Sequence, residues 1–253
     1  MLASKYADDV GAPCPSVANP AASRLKNFER AVRRARKRLV CLLTGAQPAI
    51  TNYSEWIGSF DRLSKTDREI IRQNIASYVN PPHLSVLLPA YNPQSHWLDL
   101  SIRSVRAQIY PHWELCIVCD GSIDSRGRRI LSRHAEEDGR IKVVYRTECG
   151  HASRLANSAL ELATGDYFAL LGAGDLLAEH ALFWVVEAIQ QNPDAKLIYS
   201  DEDNITANGK RKDPSFKCDW NPFLFFGYNM IGHLGVFDTS LVRHLGGLSL
   251  IHI

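Results

Sequence analysis

The hydrophobic positions of this chain alternate between helical spacing and short apolar runs, and the alternation predicts its elements. Leu25, Phe28, Val32, Ala35, Leu39 and Leu42 recur at steps of three and four. That is one apolar stripe of a helix, with arginine and lysine on its other faces. Residues 1–23 before it are rich in Ala, Pro and Ser and read as a loose tail. A second helix is predicted from Thr66, because Thr66 and Glu69 have the spacing of a capping box. Ile70, Ile71, Ile75, Tyr78 and Val79 supply its apolar face, and Pro81-Pro82 ends it and marks a boundary.

Beyond Pro82 the texture changes. The apolar runs at 84–88, 114–119, 141–145, 167–171 and 196–199 read as strands. Helical spacing lies between them, at Leu98, Ile102, Val105 and Ile109, then over 126–137, 152–163 and 179–190. This order predicts an α/β fold, a mostly parallel sheet with helices on both faces, preceded by a helical N-terminal segment. Such sheets bind ligands beyond the carboxyl ends of their strands. At those places the chain carries Pro89-Ala90-Tyr91-Asn92-Pro93, Asp120-Gly121-Ser122, Gly172-Ala173-Gly174-Asp175 and Ser200-Asp201-Glu202-Asp203. No G-x-G-x-x-G follows the first strand and no G-x-x-x-x-G-K-[ST] occurs. Those absences argue against a dinucleotide oxidoreductase and a P-loop hydrolase.

Composition changes this picture little. The 253 residues carry 29 Lys+Arg against 27 Asp+Glu, with 45% hydrophobic and 22% charged. This is ordinary globular usage, which excludes a disordered, collagen-like or disulfide-framework protein. The charge is unevenly spread, however. Residues 24–38 hold eight basic residues and one acidic, leaving 21 basic against 26 acidic elsewhere. Two uses fit the basic helix. It lies on an anionic membrane surface through residues 24–42, or it packs on the protein's own body, which is the commoner use. No nucleic-acid partner is expected. No apolar run is long enough to span a bilayer and the start lacks a signal-peptide core, so a cytoplasmic location is expected, with peripheral contact at the inner membrane face. Cys116-x-x-Cys119 lies in a strand-like run, where residues three apart face opposite ways. That spacing argues against a redox or metal pair.

Six segments occur in order: LSVLLPAYNP (84–93), RAQIYPHWELCIVCDGS (106–122), NSALELATGDYFALL (157–171), LIYSDEDNI (197–205), FKCDWNP (216–222) and NMIGHLGVF (229–237). Together they resemble the family 2 glycosyltransferases of the GT-A fold, especially bacterial enzymes of O-antigen and other surface-polysaccharide assembly. The resemblance covers residues 83–247, read as a partial GT-A domain after a helical segment at 24–82. It implies transfer of a sugar from a nucleoside-diphosphate donor to a saccharide or lipid-linked acceptor, with inversion by direct displacement.

The resemblance also implies roles. It places the turn of Pro89, Tyr91 and Asn92 against the nucleotide, with Tyr91 on the base. Asp120 matches the acidic residue that accepts a hydrogen bond from the imide of uracil or thymine. A carboxylate suits that task because it accepts and does not donate. Without the resemblance, Asp120-Gly121-Ser122 is a helix-capping turn. Arg154 and Asn157 fall on the helix facing the donor cleft, where Arg154 either pairs with a phosphate or is a surface arginine. Asp201 and Asp203 belong to an acidic cleft. Trp220, Asn229 and His233 fall on the acceptor side, Trp220 as a sugar-stacking ring or core packing and His233 as core packing.

At the fourth strand this sequence departs from the family. Relatives carry Asp-x-Asp-Asp, whose acidic residues help hold Mg²⁺ or Mn²⁺ on the donor diphosphate. Here Gly172 and Gly174 offer no ligand and Asp175 is the acidic residue left. A divalent metal is thus expected from the family and put in doubt by these glycines. A non-catalytic nucleotide-sugar-binding protein with a degenerate metal site is the alternative. The catalytic base is expected beyond Gly247. Residues 248–253, Leu-Ser-Leu-Ile-His-Ile, match a translated sequencing-adapter end, so the natural protein is expected to be longer.

Overall fold

The computed structural model describes residues 52–146 and 152–249. The basic helix expected over 24–42, and the tail before it, lie outside the described residues. The described chain begins with α1 (Tyr53–Trp56), a π-helical turn (Ile57–Asp61) and α2 (Lys65–Ala76). Four strand–helix units follow. They are β1 (Leu84–Ala90) with α3 (Ser95–Arg106), β2 (Trp113–Cys119) with α4 (Ser125–Glu137), β3 (Ile141–Tyr145) with α5 (Ala152–Leu162), and β4 (Tyr167–Leu170) with α6 (Ala181–Gln191). The chain continues through β5 (Leu197–Tyr199), the pair β6 (Glu202–Ile205) and β7 (Arg211–Ser215), α7 (Pro222–Gly227), β8 (Gly235–Asp238) and α8 (Thr239–His244). The larger compact unit takes in 63–202 and 215–249, and the smaller one 52–62 and 203–214.

The sheet of the larger unit has the order β3-β2-β1-β4-β8-β5. Neighbours among β1 to β4 are parallel, whereas β8 runs antiparallel to both β4 and β5. Alternation along each strand divides the core in two. Val86, Leu88, Leu115, Ile117 and Ala169 face one side, where α2, α3, α4 and α6 cover them. Leu87, Cys116, Val118 and Phe168 face the other, where Leu155, Ala159 and Leu160 of α5 pack, with Val242 of α8 beside them. Strands covered on both faces read as near-continuous apolar runs, which is why β1 and β2 were visible in the sequence. Cys116 and Cys119 belong to opposite sides, and burial pushes each thiol up to about 12.

Two local expectations are corrected. The capping box of α2 is Ser64 with Asp67, not Thr66 with Glu69. The Asp67 N–H donates to the Ser64 hydroxyl at 3.1 Å, and the Ser64 N–H to the Asp67 carboxylate at 2.8 Å. Both pairs share one spacing, so spacing alone could not choose between them. Pro89, expected to stop β1, lies within it, paired with Val118. The ladder to β4 ends one step earlier, where the Leu171 N–H donates to the Leu87 carbonyl at 2.9 Å. Backbone groups two residues apart point the same way, so the N–H that proline lacks falls where β4 has stopped pairing.

The amino ends of the strands are tied by one buried carboxylate. Glu114 of β2 is 4% exposed. It accepts from the Ser85 hydroxyl of β1 at 2.7 Å, the Thr164 N–H at 2.5 Å and the Thr164 hydroxyl at 3.0 Å, and pairs with Lys142 of β3 at 2.6 Å. The Gly165 N–H donates to the same Ser85 hydroxyl at 2.9 Å. A Cβ on Gly165 would come within 2.6 Å of the His83 carbonyl, so only glycine lets the α5–β4 turn approach β1 this closely. Burial opposes ionisation of Glu114, but the hydrogen bonds from Lys142, Ser85 and Thr164 outweigh it and hold the carboxyl at about 2. Its stabilising effect is therefore present above the ordinary glutamate range and is lost as pH falls from about 4.5 towards about 2. Glu114→Gln is expected to cost about 1–2 kcal/mol, because the hydrogen bonds from Ser85 and Thr164 lose their charged acceptor while the half-exposed Lys142 is solvated. Urea unfolding at neutral pH checks this. The same variant should lose less stability than the parent between pH 5 and pH 3.

Candidate functional site

Parallel strands bring their carboxyl ends to one edge of the sheet, and β8, running the other way, begins there. That edge therefore collects the turns after β1, β2, β4 and β5 and the residues just before β8.

Asp120, at the end of β2, is fully buried. Its Oδ1 accepts from the Ser122 N–H at 3.1 Å and from the Ser122 hydroxyl. The same hydroxyl accepts from the Asn92 N–H at 2.9 Å, so it links the turns after β1 and β2. Asn92 takes left-handed backbone with φ 41°, a conformation asparagine tolerates better than most residues. Tyr91 beside it is exposed. Asp120 Oδ2 is buried and accepts no hydrogen bond among the described residues. Native proteins seldom leave a buried carboxylate oxygen in that state, and a ligand N–H would satisfy it.

The turn after β4 folds back on itself. Asp175 Oδ2 accepts from the Gly172 N–H at 3.1 Å and lies 2.7 Å from His233 Nδ1. A Cβ on Gly172 would come within 2.5 Å of that oxygen, so glycine makes room for the carboxylate. The hydrogen bond to Asp175 raises the His233 pKa above the ordinary histidine value. Core packing, expected for His233, is corrected: its side chain is 61% exposed and paired with Asp175. The cause is the direction of β8, which places the residues before Gly235 at the open edge.

Two residues not singled out in the sequence hold that segment. Lys217 donates its Nζ to the carbonyls of Ile231 at 2.5 Å and His233 at 2.8 Å. Glu202 accepts the His233 N–H at 2.9 Å and lies 3.4 Å from the Lys217 ammonium. Burial pushes the Lys217 pKa below the usual lysine range. Asp201 accepts the Lys217 N–H at 2.7 Å and so supports the same corner. Lys217 lies in the FKCDWNP segment and Glu202 between two aspartates already noted, but neither position reveals such long-range partners.

The remaining sequence candidates are dispersed. Asp203 has its partners among residues of the smaller unit. Its carboxylate lies in the smaller unit, where it accepts from Tyr53 and from Arg211 Nε at 2.6 Å, while Arg211 also pairs with Asp61. Asn157 exchanges two bonds with the Leu248 main chain, accepting its N–H at 2.7 Å and donating to its carbonyl at 2.9 Å. Arg154 is exposed on the first turn of α5. Trp220 is half-buried, with its ring 5.0 Å from that of Phe225. Asn229 accepts from the Ile231 N–H at 3.2 Å.

The residues present do not fit a divalent-metal site at the turn after β4. Asp175 Oδ2 is engaged by His233 and Gly172, and Gly174 brings no side chain. Among the described residues, no three His, Cys, Asp or Glu side chains converge as a ligand set.

The profile described as Glycosyl transferase family 2 matches residues 85–240. The chain belongs to this family. The chain is 50% identical over 167 residues to the uncharacterized protein y4gI of Sinorhizobium fredii, covering 66% of this chain and 18% of that protein. It is 31% identical over 201 residues to the O-antigen biosynthesis protein RfbC of Myxococcus xanthus, covering 79% of this chain and 16% of that protein. The chain thus spans less than a fifth of the length of either relative. A solved mannosyltransferase from Pyrobaculum calidifontis, in complex with GDP-Man and Mn²⁺, shares the fold at TM-score 0.50 and 20% identity, over 70% of this chain and 53% of that one.

Asp175→Asn removes the charge that favours the His233 imidazolium. Proton NMR titration of the ring should then show the His233 pKa falling towards the ordinary histidine value. An unchanged titration would mean that the pair does not persist in solution.

Proposed function

We propose that this chain binds the nucleoside-diphosphate end of a sugar donor within a glycosyltransferase of cell-surface polysaccharide synthesis. The observation that carries the reading is the buried, unpaired Oδ2 of Asp120 at the carboxyl edge of the sheet. The imide N–H of uracil or thymine supplies the donor that this oxygen lacks. Ser122 holds Asp120 Oδ1 and, through Asn92, fixes the turn that presents Tyr91 to the face of the base. Arg154 is assigned to the diphosphate and Trp220 to the acceptor sugar. The acceptor is a saccharide, lipid-linked, at the cytoplasmic face of the membrane. The contact proposed there is peripheral; among the described residues no helix is long and apolar enough to cross a membrane.

Transfer inverts the anomeric carbon by direct displacement, and the acceptor hydroxyl needs a general base. The family resemblance puts that base after Gly247, so the 253-residue chain alone is expected to bind donor without transferring sugar. Purified chain, incubated with radiolabelled nucleotide sugar and an acceptor, checks this by the absence of labelled product. No step is routed through a metal, because the turn after β4 does not provide for one.

A second reading, a non-catalytic nucleotide-sugar-binding protein, is favoured by one observation, the engagement of Asp175 by His233 and Gly172. Calorimetry with uridine diphosphate tests both. Binding is expected, and Asp120→Asn should weaken it about tenfold or more, since a hydrogen bond to a charged group is replaced by one to an amide. Equal affinity in the variant would remove Asp120 from the base site. Affinity unaffected by Mg²⁺ or Mn²⁺ favours the second reading, whereas a metal effect restored by Gly174→Asp favours a decayed enzyme.

A further inference from the structure

The sheet has a topological switch point at β1. From β1 the chain moves outward through β2 to β3, then returns to add β4 on the other side of β1. Open α/β sheets bind ligands in the crevice beyond the carboxyl ends of the strands at such a point. Here that crevice lies between the turns after β1 and β4. Asp120, at the end of β2, and Asp175, after β4, flank β1 on its two sides. Two strand spacings separate β2 from β4, about 10 Å, comparable with the reach of a nucleotide from its base to its phosphates. A donor whose base meets Asp120 therefore brings its diphosphate to the Asp175 turn.

A diphosphate taken out of water needs compensating charge and N–H donors. That turn offers no fitting set of metal ligands, and its glycines show why. A Cβ on Gly172 would come within 2.5 Å of Asp175 Oδ2, the oxygen that meets His233. Gly174 has φ 142°, backbone that residues with side chains rarely adopt. An acidic residue at either place would conflict with the turn that presents Asp175 to His233.

His233 is the exposed partner of that pair, and its surroundings fix it. Its Nδ1 lies 2.7 Å from Asp175 Oδ2, its N–H donates to Glu202 at 2.9 Å and its carbonyl accepts from Lys217 at 2.8 Å. The next residue, Leu234, donates its N–H to the Ser200 hydroxyl at 3.2 Å. An ionised carboxylate only accepts, so Nδ1 carries the proton between ring and Asp175. The other ring nitrogen, Nε2, makes no hydrogen bond among the described residues. The charged groups facing the ring are Asp175 from the turn after β4, Glu202 from β6 and Lys217 from beyond β7. Two carboxylates against one ammonium favour the imidazolium, and the His233 pKa is raised. The Lys217 ammonium is engaged by two carbonyls and Glu202, which leaves the imidazolium as the exposed cation of this corner.

We propose that His233 binds the donor diphosphate through Nε2–H and supplies there, without a divalent metal, the positive charge that the phosphates need. The proposal rests on the donor-binding reading, which both alternatives above share. A phosphate oxygen accepts from Nε2, whose proton comes from solvent. Asp175 is a positioning residue, which orients the ring and favours its charged form.

Calorimetry of the full chain with uridine diphosphate and with uridine tests this, each in chelator, in Mg²⁺ and in Mn²⁺. Uridine diphosphate is expected to bind equally in all three and more tightly than uridine. His233→Ala should weaken uridine diphosphate about tenfold, as loss of a hydrogen bond between charged groups does, and leave uridine unchanged. Its circular dichroism should match the parent, because the ring is exposed. The parent's advantage over this variant should fade as pH rises through the His233 titration, since the neutral ring no longer donates from Nε2. Comparing parent with variant cancels the titration of the ligand's own phosphate. Asp175→Asn should move that fade to lower pH. Three results overturn the inference: a metal that tightens uridine diphosphate tenfold, a His233→Ala variant that binds it as the parent does, or a loss that falls equally on uridine. A chain that binds uridine and uridine diphosphate alike sinks this inference alone, whereas a chain that binds neither sinks the donor-binding reading beneath it.

Discussion

The Glu114 carboxylate is the constraint on which the site depends. It lies at the amino end of β2 and is held by groups from β1, β3 and the turn before β4. Strand rise per residue is nearly fixed, so pinning the amino ends also sets where the strands finish. The resulting register pairs Ala90 with Cys119. That pairing sets the next turns side by side, close enough for the Asn92 N–H to reach the Ser122 hydroxyl. A buried carboxylate at one edge of the sheet thus sets the geometry of the Asp120 turn at the other.

The reversal of β8 is the second determinant. Were it parallel to β4, the residues before Gly235 would lie at the amino edge, away from the Asp175 turn. Because it is antiparallel, His233 arrives beside Asp175, and Lys217 and Glu202 hold its backbone there. The glycines after β4 then acquire a role beyond the loss of metal ligands. Gly172 gives the Asp175 carboxylate room to turn back on its own loop, where it forms a carboxylate–imidazole pair with His233.

Legibility in the sequence followed the range of the interactions. The apolar runs of β1, β2 and β4 lie close to their expected bounds, because a strand buried on both faces must be apolar throughout. Asp120 was legible as a residue after a strand, but its unpaired oxygen depends on neighbours that only folding supplies. The strand β8, of four residues, has a run too short to announce its partners or direction. Asp203 shows the same limit: adjacent to Glu202 in sequence, it points into a different network because side chains alternate along β6.

The sequence by itself determined the alternation of strands and helices, the opposite facing of Cys116 and Cys119, the small and acidic turns after each strand, and the family. Each follows from local periodicity or from an ordered set of short segments. The tertiary structure alone decided which acidic groups remain available. It paired Asp175 with His233, Asp203 with Arg211 and Glu114 with Lys142, and it left Asp120 with one oxygen unpaired. The physical reason is that hydrogen bonds and ion pairs are settled by separations of a few ångströms, and residues far apart in the chain reach such separations only once the sheet has fixed its register.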